Sequence, residues 1–152
     1  MIKRNIILIC ILIFVSSCGY TPIYKNVSNN KYNIIIDNLE GDELINSEIF
    51  NNLNRYKDIN SDKKFNINIS TTYEKIDVVK DISGKTSNYL VKIFSQVEIK
   101  SSSTIKTIVI KDDYNINNSE NAFENLNYER SLKRNVASSF SQKIILQLIN
   151  FE

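Results

Sequence analysis

The sequence predicts an α+β fold, a two-layer α/β sandwich in which two helices pack on one face of a four-stranded, mostly antiparallel sheet. Two segments, residues 65–73 and 89–100, alternate apolar and polar side chains as half-buried strands do, and three serines separate the second from a further strand at about 104–114. Two further segments, roughly 43–57 and 120–149, repeat apolar residues at helical spacing. With one more short strand at the start, the order is β-α-β-β-β-α, and amphipathic helices then cover one side of the sheet.

The first strand and helix follow one another closely. The β-branched run from Tyr32 to Asn38 predicts a buried strand, which Gly41 ends. Asp42 is a suitable N-cap for the first predicted helix, roughly 43–57. The apolar side chains of that helix fall on one stripe, which we expect to face the core: Ile45, Ile49, Leu53 and Tyr56.

The next three strands predict a meander of two hairpins. Alternation of apolar and polar residues begins after Lys64 and extends to Tyr73, and the strand is expected to continue to about Val79. Turn-forming residues occupy 81–84, and the third strand then extends to Lys100. Three serines separate it from a fourth strand, from Thr104 to about Tyr114.

The last helix is expected to begin near Ser119 or a neighbouring residue. Glu129 precedes Lys133 by four residues, the favourable order for an ion pair on one helix, and a contact of Lys133 with a partner is the alternative. Seven apolar side chains project within one broad face of the helical wheel, which we expect to meet the sheet: Phe123, Leu126, Ala137, Phe140, Ile144, Leu148 and Phe151.

The first residues of the chain have the pattern of a bacterial lipoprotein signal. Lys3 and Arg4 precede an apolar run of about ten residues, half the length that a membrane-spanning helix needs. The run closes on Val15-Ser16-Ser17-Cys18, in which small residues precede a cysteine. We expect cleavage before Cys18 and attachment of a diacylglycerol and an N-linked acyl chain such as palmitate to that residue. A short anchor that is never cleaved is the alternative.

This interpretation divides the chain into a cleaved signal peptide, 1–17, a lipidated N-terminal tether, 18–30, and a single domain, 31–152. The chain has 19 basic and 17 acidic residues, and removal of Lys3 and Arg4 leaves 17 basic residues. The mature protein is therefore neutral on balance. A neutral surface argues against nucleic acid as a partner, because the phosphate backbone is bound by clustered positive charge.

The composition also argues against an enzyme. Histidine is absent, which removes the commonest general base and the commonest metal ligand. The cysteines are Cys10, lost with the signal, and Cys18, so the domain has no thiol to act as a nucleophile. The adjacent acidic pairs, Asp42-Glu43 and Asp112-Asp113, are expected in turns or helix starts as solvated groups. We therefore expect no catalytic residues, no cofactor and no metal.

A resemblance to a known family rests on the start of the mature chain. The segment Cys18-Gly19-Tyr20-Thr21-Pro22-Ile23-Tyr24 resembles the mature start of LptE, the lipopolysaccharide-assembly lipoprotein family of the outer membrane. The element order and length of the chain are similar to that family throughout. The composition departs from the family pattern in its abundance of Ile, Asn and Lys.

The resemblance implies a lipoprotein of the cell outer membrane, anchored on the periplasmic side. LptE-like proteins insert into LptD, a large β-barrel, help it to fold and plug its lumen while lipopolysaccharide passes. Some members bind lipopolysaccharide directly. Gly19 agrees with this location, because an Asp after the lipidated cysteine would favour the inner membrane. The alternative is an accessory or lipid-carrying lipoprotein of another trans-envelope transporter, which predicts an apolar pocket between sheet and helices.

Lysines on the strands offer a further hypothesis. They could pair with lipid phosphates, or they could simply keep the sheet soluble and its edges protected. The turn from Lys80 to Lys85 is the expected contact with a partner or lipid, because two lysines flank a hairpin end; no residue is assigned to lipopolysaccharide binding. The lysines considered are Lys75, Lys80, Lys85, Lys92, Lys100 and Lys106.

Overall fold

The structure, a computed structural model, describes residues 31–102 and 104–151, which form four strands and two helices. In chain order these are β1 (Asn33–Gly41), α1 (Glu43–Asn54), β2 (Lys64–Lys80), β3 (Thr86–Lys100), β4 (Ile105–Asn117) and α2 (Ala122–Ile149). The predicted order and fold class are confirmed. The element ends differ by a few residues, since β1 continues to Gly41 and α1 stops at Asn54.

The strands form one mixed sheet in the order β1-β2-β3-β4. β1 runs parallel to β2, because α1 carries the chain back across the sheet between them. The β2–β3 and β3–β4 pairs are antiparallel hairpins, with Ile69 opposite Val97 and Val97 opposite Ile108. Since directly opposed residues point to the same side, these pairs place the apolar positions of the strands on one face.

The helices cover that face and leave the other to solvent. Every second side chain is buried from Phe65 to Thr71 in β2 and from Val91 to Ile99 in β3. On the opposite face of the sheet Asn66 is half-buried and Lys92 is exposed. From α2, Val136 and Phe140 join the same core. A single apolar layer between sheet and helices therefore holds the domain together, as predicted.

The corner between β1 and α1 depends on Gly41. This residue has φ +100°, and a Cβ there would clash with the backbone carbonyl of Thr71 on β2. Only glycine allows this close approach in that conformation. Asp42 follows as the N-cap of α1, and its carboxylate accepts a hydrogen bond from the Ile45 amide at 3.0 Å. The predicted helix start is confirmed.

Two expectations from the sequence are wrong. Phe123 and Leu126 do not face the sheet: they are 69% and 62% exposed. In the first turns of α2 it is Asn125 and Glu129 that turn inward: Asn125 donates to the Ser119 carbonyl in the preceding loop, and Glu129 pairs with Lys75 on β2. Asp112 and Asp113 lie neither in a turn nor at a helix start, because both are inside β4.

Neither helix of the described residues is both long and apolar enough to cross a membrane.

Candidate functional site

A cluster of charged and aromatic side chains closes the end of the core that is nearer the β2–β3 turn. We define the polar cluster as Asp42, Tyr73, Lys75, Glu129 and Lys133. Asp42 comes from the start of α1, the next two residues from β2 and the last two from α2. Three separate elements therefore meet in this cluster.

Lys133 is the centre of the polar cluster. Its ammonium lies 2.8 Å from the Asp42 carboxylate and 3.4 Å from that of Glu129. Only 16% of its side chain is exposed. The same ammonium sits 4.0 Å from the centre of the Tyr73 ring, a cation–π contact. The predicted ion pair with Glu129 exists, but the side chain is turned inward and is not an exposed contact.

The polar cluster shifts the proton affinity of one member. Burial, followed by the nearby carboxylates of Glu129 and Asp42, raises the pKa of the Tyr73 hydroxyl well above its usual value near 10. The hydroxyl is buried without a well-aligned hydrogen-bond partner among the described residues. Tyr73 is therefore neutral at any physiological pH and contributes its ring rather than its charge.

Neutral hydrogen bonds tie the polar cluster to the β1–α1 corner. The Asp42 amide donates to the Thr71 hydroxyl at 3.1 Å, and that hydroxyl donates to the Asn46 side-chain oxygen at 2.9 Å. The Asn46 amide group donates in turn to the Glu40 carbonyl at 2.9 Å. This network fixes the position of the start of α1 relative to β1 and β2, so the carboxylate of Asp42 is held facing α2.

The chemistry that the polar cluster offers is pairing of opposite charges. Lys75 completes it, with its ammonium 3.3 Å from Glu129 and 4.3 Å from the centre of the Tyr89 ring. Each ammonium thus has a carboxylate and an aromatic face as partners. Across residues 31–102 and 104–151, no three acidic, cysteine or histidine side chains are grouped as a metal site. The arrangement suits holding α1, α2 and β2 together.

The hairpin turn between β2 and β3 is closed by its own aspartate. Asp81 accepts hydrogen bonds from the Ser83 amide at 2.8 Å and from the Lys85 amide at 2.9 Å. The Ser83 hydroxyl and then the Lys85 amide lower the pKa of the Asp81 carboxyl. The predicted turn is present, and a carboxylate lies between its two lysines.

The structure does not bring the six strand lysines together. Lys75 and Lys106 are on the helix-facing side of the sheet, opposite Val91 and Ile99. Lys100 is at the far end of β3 from the hairpin turn and lies 3.0 Å from Glu98. Their separation argues against a single phosphate-binding cluster.

The solvent-facing side of the sheet is polar and carries both positive and negative side chains. Glu74 and Asp113 flank Lys92 in one cross-strand row, so opposite charges face each other. A shallow depression of about 440 Å³ lies over this row. Its lining also includes Phe94, whose ring is 5.5 Å from the Lys111 ammonium. This face presents alternating charges rather than a field of one sign.

The predicted lipidation site, Cys18, lies outside the described residues, as does the whole of the segment 18–30. The described chain begins at Lys31, next to the first strand. Sequence reasoning singled out Lys133 and the turn at 80–85 but missed Tyr73 as part of a site. The signal for Tyr73 in the sequence was faint, because it is simply the last apolar residue in the alternation of β2.

Comparison with known proteins identifies solved structures that share the fold of this chain. Neither a scan of protein-family models nor a search of curated proteins finds a match. Among solved structures, rare lipoprotein B from Shewanella oneidensis is similar over 76% of this chain and 98% of its own, with TM-score 0.55 and 11% identity. A Caulobacter crescentus protein described as a lipoprotein is similar over 83% of this chain and 94% of its own, with TM-score 0.57 and 10% identity. The chain shares its fold with these bacterial lipoproteins.

Proposed function

We propose that this protein is an outer-membrane lipoprotein, anchored through Cys18 on the periplasmic side, that assembles with and plugs an LptD-type β-barrel. One combination of observations carries the proposal. The signal ends in a lipobox followed by Gly19-Tyr20-Thr21-Pro22-Ile23-Tyr24, and the domain behind it has the fold of rare lipoprotein B from Shewanella oneidensis. In this role it supports lipopolysaccharide transport to the cell surface.

The surface of the domain supports a position inside a barrel. The lumen of an outer-membrane barrel is polar, so a plug should present a polar face with balanced charge. The solvent-facing side of the sheet does so, with Lys92 between Glu74 and Asp113. The mature chain is also neutral on balance, which avoids repulsion from a wall of either sign.

The alternative, a lipid-carrying lipoprotein, draws less support. It requires an apolar space between sheet and helices. In the described part of the chain that region is filled by side chains such as Phe140, Ile93 and Ile144, each at most 1% exposed. A packed interior suits a structural subunit better than a lipid carrier.

The anchor is tested by mass spectrometry of the native protein. We expect the first residue to be Cys18, carrying a diacylglycerol and an N-linked acyl chain, which together give stable membrane attachment. The Cys18→Ser variant should lose both the modification and the membrane fraction. An intact signal segment or an unmodified thiol in the wild-type protein would contradict the proposal.

The partner is tested by affinity purification of the tagged full-length protein from mildly solubilised envelopes. We expect a large β-barrel of the LptD type to co-purify in a stoichiometric amount. Co-purification of an inner-membrane ATPase complex without such a barrel would favour the lipid-carrying alternative and overturn the proposal.

A further inference from the structure

The end of the molecule beyond the polar cluster carries exposed apolar side chains. We define the apolar end as the large hydrophobic residues in this part of the molecule whose side chains are at least 40% exposed. Among them, Ile82 at the tip of the turn is fully exposed. Past Tyr73, β2 loses the alternation of buried and exposed positions, so this part of the hairpin is outside the core. The members are Ile76, Val78, Val79, Ile82, Phe123, Leu126 and Tyr128.

Hydrogen bonds hold the hairpin and α2 parts of the apolar end together. The Asn118 side chain donates to the Thr86 carbonyl at 2.7 Å, and its backbone amide donates to the Ser87 carbonyl at 2.7 Å. Asn125 on α2 donates to the Asn118 side-chain oxygen at 2.8 Å. The first turns of α2 are therefore fixed beside the hairpin, and the two apolar sets form one end of a rigid body.

The charges at this end are neutralised locally. Lys80 lies 4.0 Å from the Asp77 carboxylate, and the Asp81 carboxylate lies inside the turn, where it accepts a hydrogen bond from the Lys85 backbone amide. Two carboxylates therefore lie among the two lysines, and this turn has no excess of positive charge to attract phosphate. The expectation that the two turn lysines bind a charged lipid headgroup is therefore weaker than an apolar contact at the same place.

The position of the tether argues for a protein rather than the lipid leaflet as the occupant. The described chain begins at Lys31, at the opposite end of the sheet, where Tyr32 and Phe65 stack edge to face. β2 has 17 residues and spans nearly the length of the sheet, about 50 Å. The chain from Cys18 to Lys31 reaches at most about 45 Å when fully extended. An anchored molecule therefore cannot readily turn its apolar end down into its own leaflet.

We infer that the apolar end is a docking surface for an apolar patch on a protein partner, at the end of the domain opposite the lipid anchor. The inference rests on the proposed anchor at Cys18 and deepens the proposed function, because it states which end of the domain the barrel partner holds. Burial of exposed aliphatic and aromatic side chains supplies the affinity.

The test combines crosslinking with substitution in the full-length, membrane-anchored protein. A photoreactive amino acid is placed at Ile82 or Leu126, and at Ile59 or Ile105 as controls. The control residues are also well exposed, at 75% and 64%, but lie toward the tether end. In parallel, the double variant Ile82→Asp with Leu126→Asp is compared with Ile59→Asp with Ile105→Asp.

We expect a strong protein adduct at Ile82 and Leu126, identified by mass spectrometry as the protein that co-purifies, and a much weaker one at the controls. The apolar-end double variant should lower the recovered partner at least tenfold, and the control pair and Lys80→Ala with Lys85→Ala less than twofold. Unchanged thermal unfolding of each variant shows that folding is intact, as expected for exposed positions.

The outcomes separate the two proposals. The same result with an identified partner other than an LptD-type barrel supports the docking surface and overturns the proposed function. An LptD-type barrel that is recovered equally with the apolar-end variant supports the proposed function and overturns the docking surface. Adducts at the apolar end with lipid alone overturn it as well and identify the leaflet as the occupant.

Discussion

At the scale of single residues, Lys133 connects distant parts of the chain. Its i,i+4 spacing from Glu129 is visible in the sequence, and that ion pair forms. The stronger contact, with Asp42, joins residues 91 apart in sequence. Asp42 was predictable as a helix cap, since a cap follows from local order. Its ion pair was not, because it depends on where two helices cross.

Replacement of Lys133 with Met should lower the free energy of unfolding by about 2 kcal/mol, because the poorly hydrated Asp42 carboxylate loses its counter-ion and Glu129 keeps only Lys75. The matched control is Lys143→Met on the same helix. Lys143 is 45% exposed and lies 3.3 Å from Asp112, so its loss should cost about 0.5 kcal/mol. Urea unfolding measures both; equal losses would show that the polar cluster has no special role.

The raised pKa of Tyr73 should make the free energy of unfolding of the protein depend on pH in the alkaline range. Its pKa in the folded protein is raised, while an unfolded tyrosine titrates near 10. The folded state therefore keeps the proton to higher pH, and this contribution to stability is complete below about pH 10 and is lost as the pH rises above it.

The wild-type protein should consequently lose more unfolding free energy between about pH 9 and pH 11 than the Tyr73→Phe variant, which has no phenol to ionise there. Urea unfolding at both pH values measures the difference. Parallel losses in the two proteins would mean that Tyr73 ionises normally in the folded state.

At the scale of elements, alternation in the sequence predicted the strands well, since burial of one face imposes a period of two. The helical wheel of α2 was less informative. Its stripe is apolar only from Leu132 onward, and before that Asn125 and Glu129 face inward. A wheel shows which residues share a side of the helix. It does not show that the sheet beneath offers Lys75 and Tyr89 instead of aliphatic partners.

The close approach of β1 and β2 at the β1–α1 junction can be tested by substitution. Gly41→Ala should lower the free energy of unfolding by about 3 kcal/mol or more, because the new Cβ meets the Thr71 carbonyl and the backbone has φ +100°. Gly84→Ala is the matched control. It has φ +82° but open space around the Cβ position, so about 1 kcal/mol is expected. Denaturant midpoints compare them, and similar shifts would argue against the close approach of β1 and β2.

At the scale of the whole molecule, the domain has a packed end and an open end. The sequence predicts the layers but not this division, because β2 and β3 read as continuous strands from end to end. The division arises because α1 covers the sheet only as far as Asp42, and the polar cluster closes the core there. Beyond it, β2 keeps its backbone pairing with β3 but its side chains are exposed, while Ile116 on β4 stays buried.

The rates of amide hydrogen exchange should differ between the packed end and the open end of the domain. Amides of β2 from Phe65 to Thr72 belong to the core and should open only with global unfolding. Those from Ile76 to Lys80 lie in an exposed hairpin and should exchange at least tenfold faster. Uniform protection along β2 would show that the apolar end is already covered in the isolated protein.

The proposed role itself is tested most directly by depletion. When synthesis of this protein is shut off, the amount of correctly assembled LptD-type barrel in the outer membrane should fall, and wild-type protein expressed in trans should restore it. A full complement of assembled barrel in depleted cells would contradict the account.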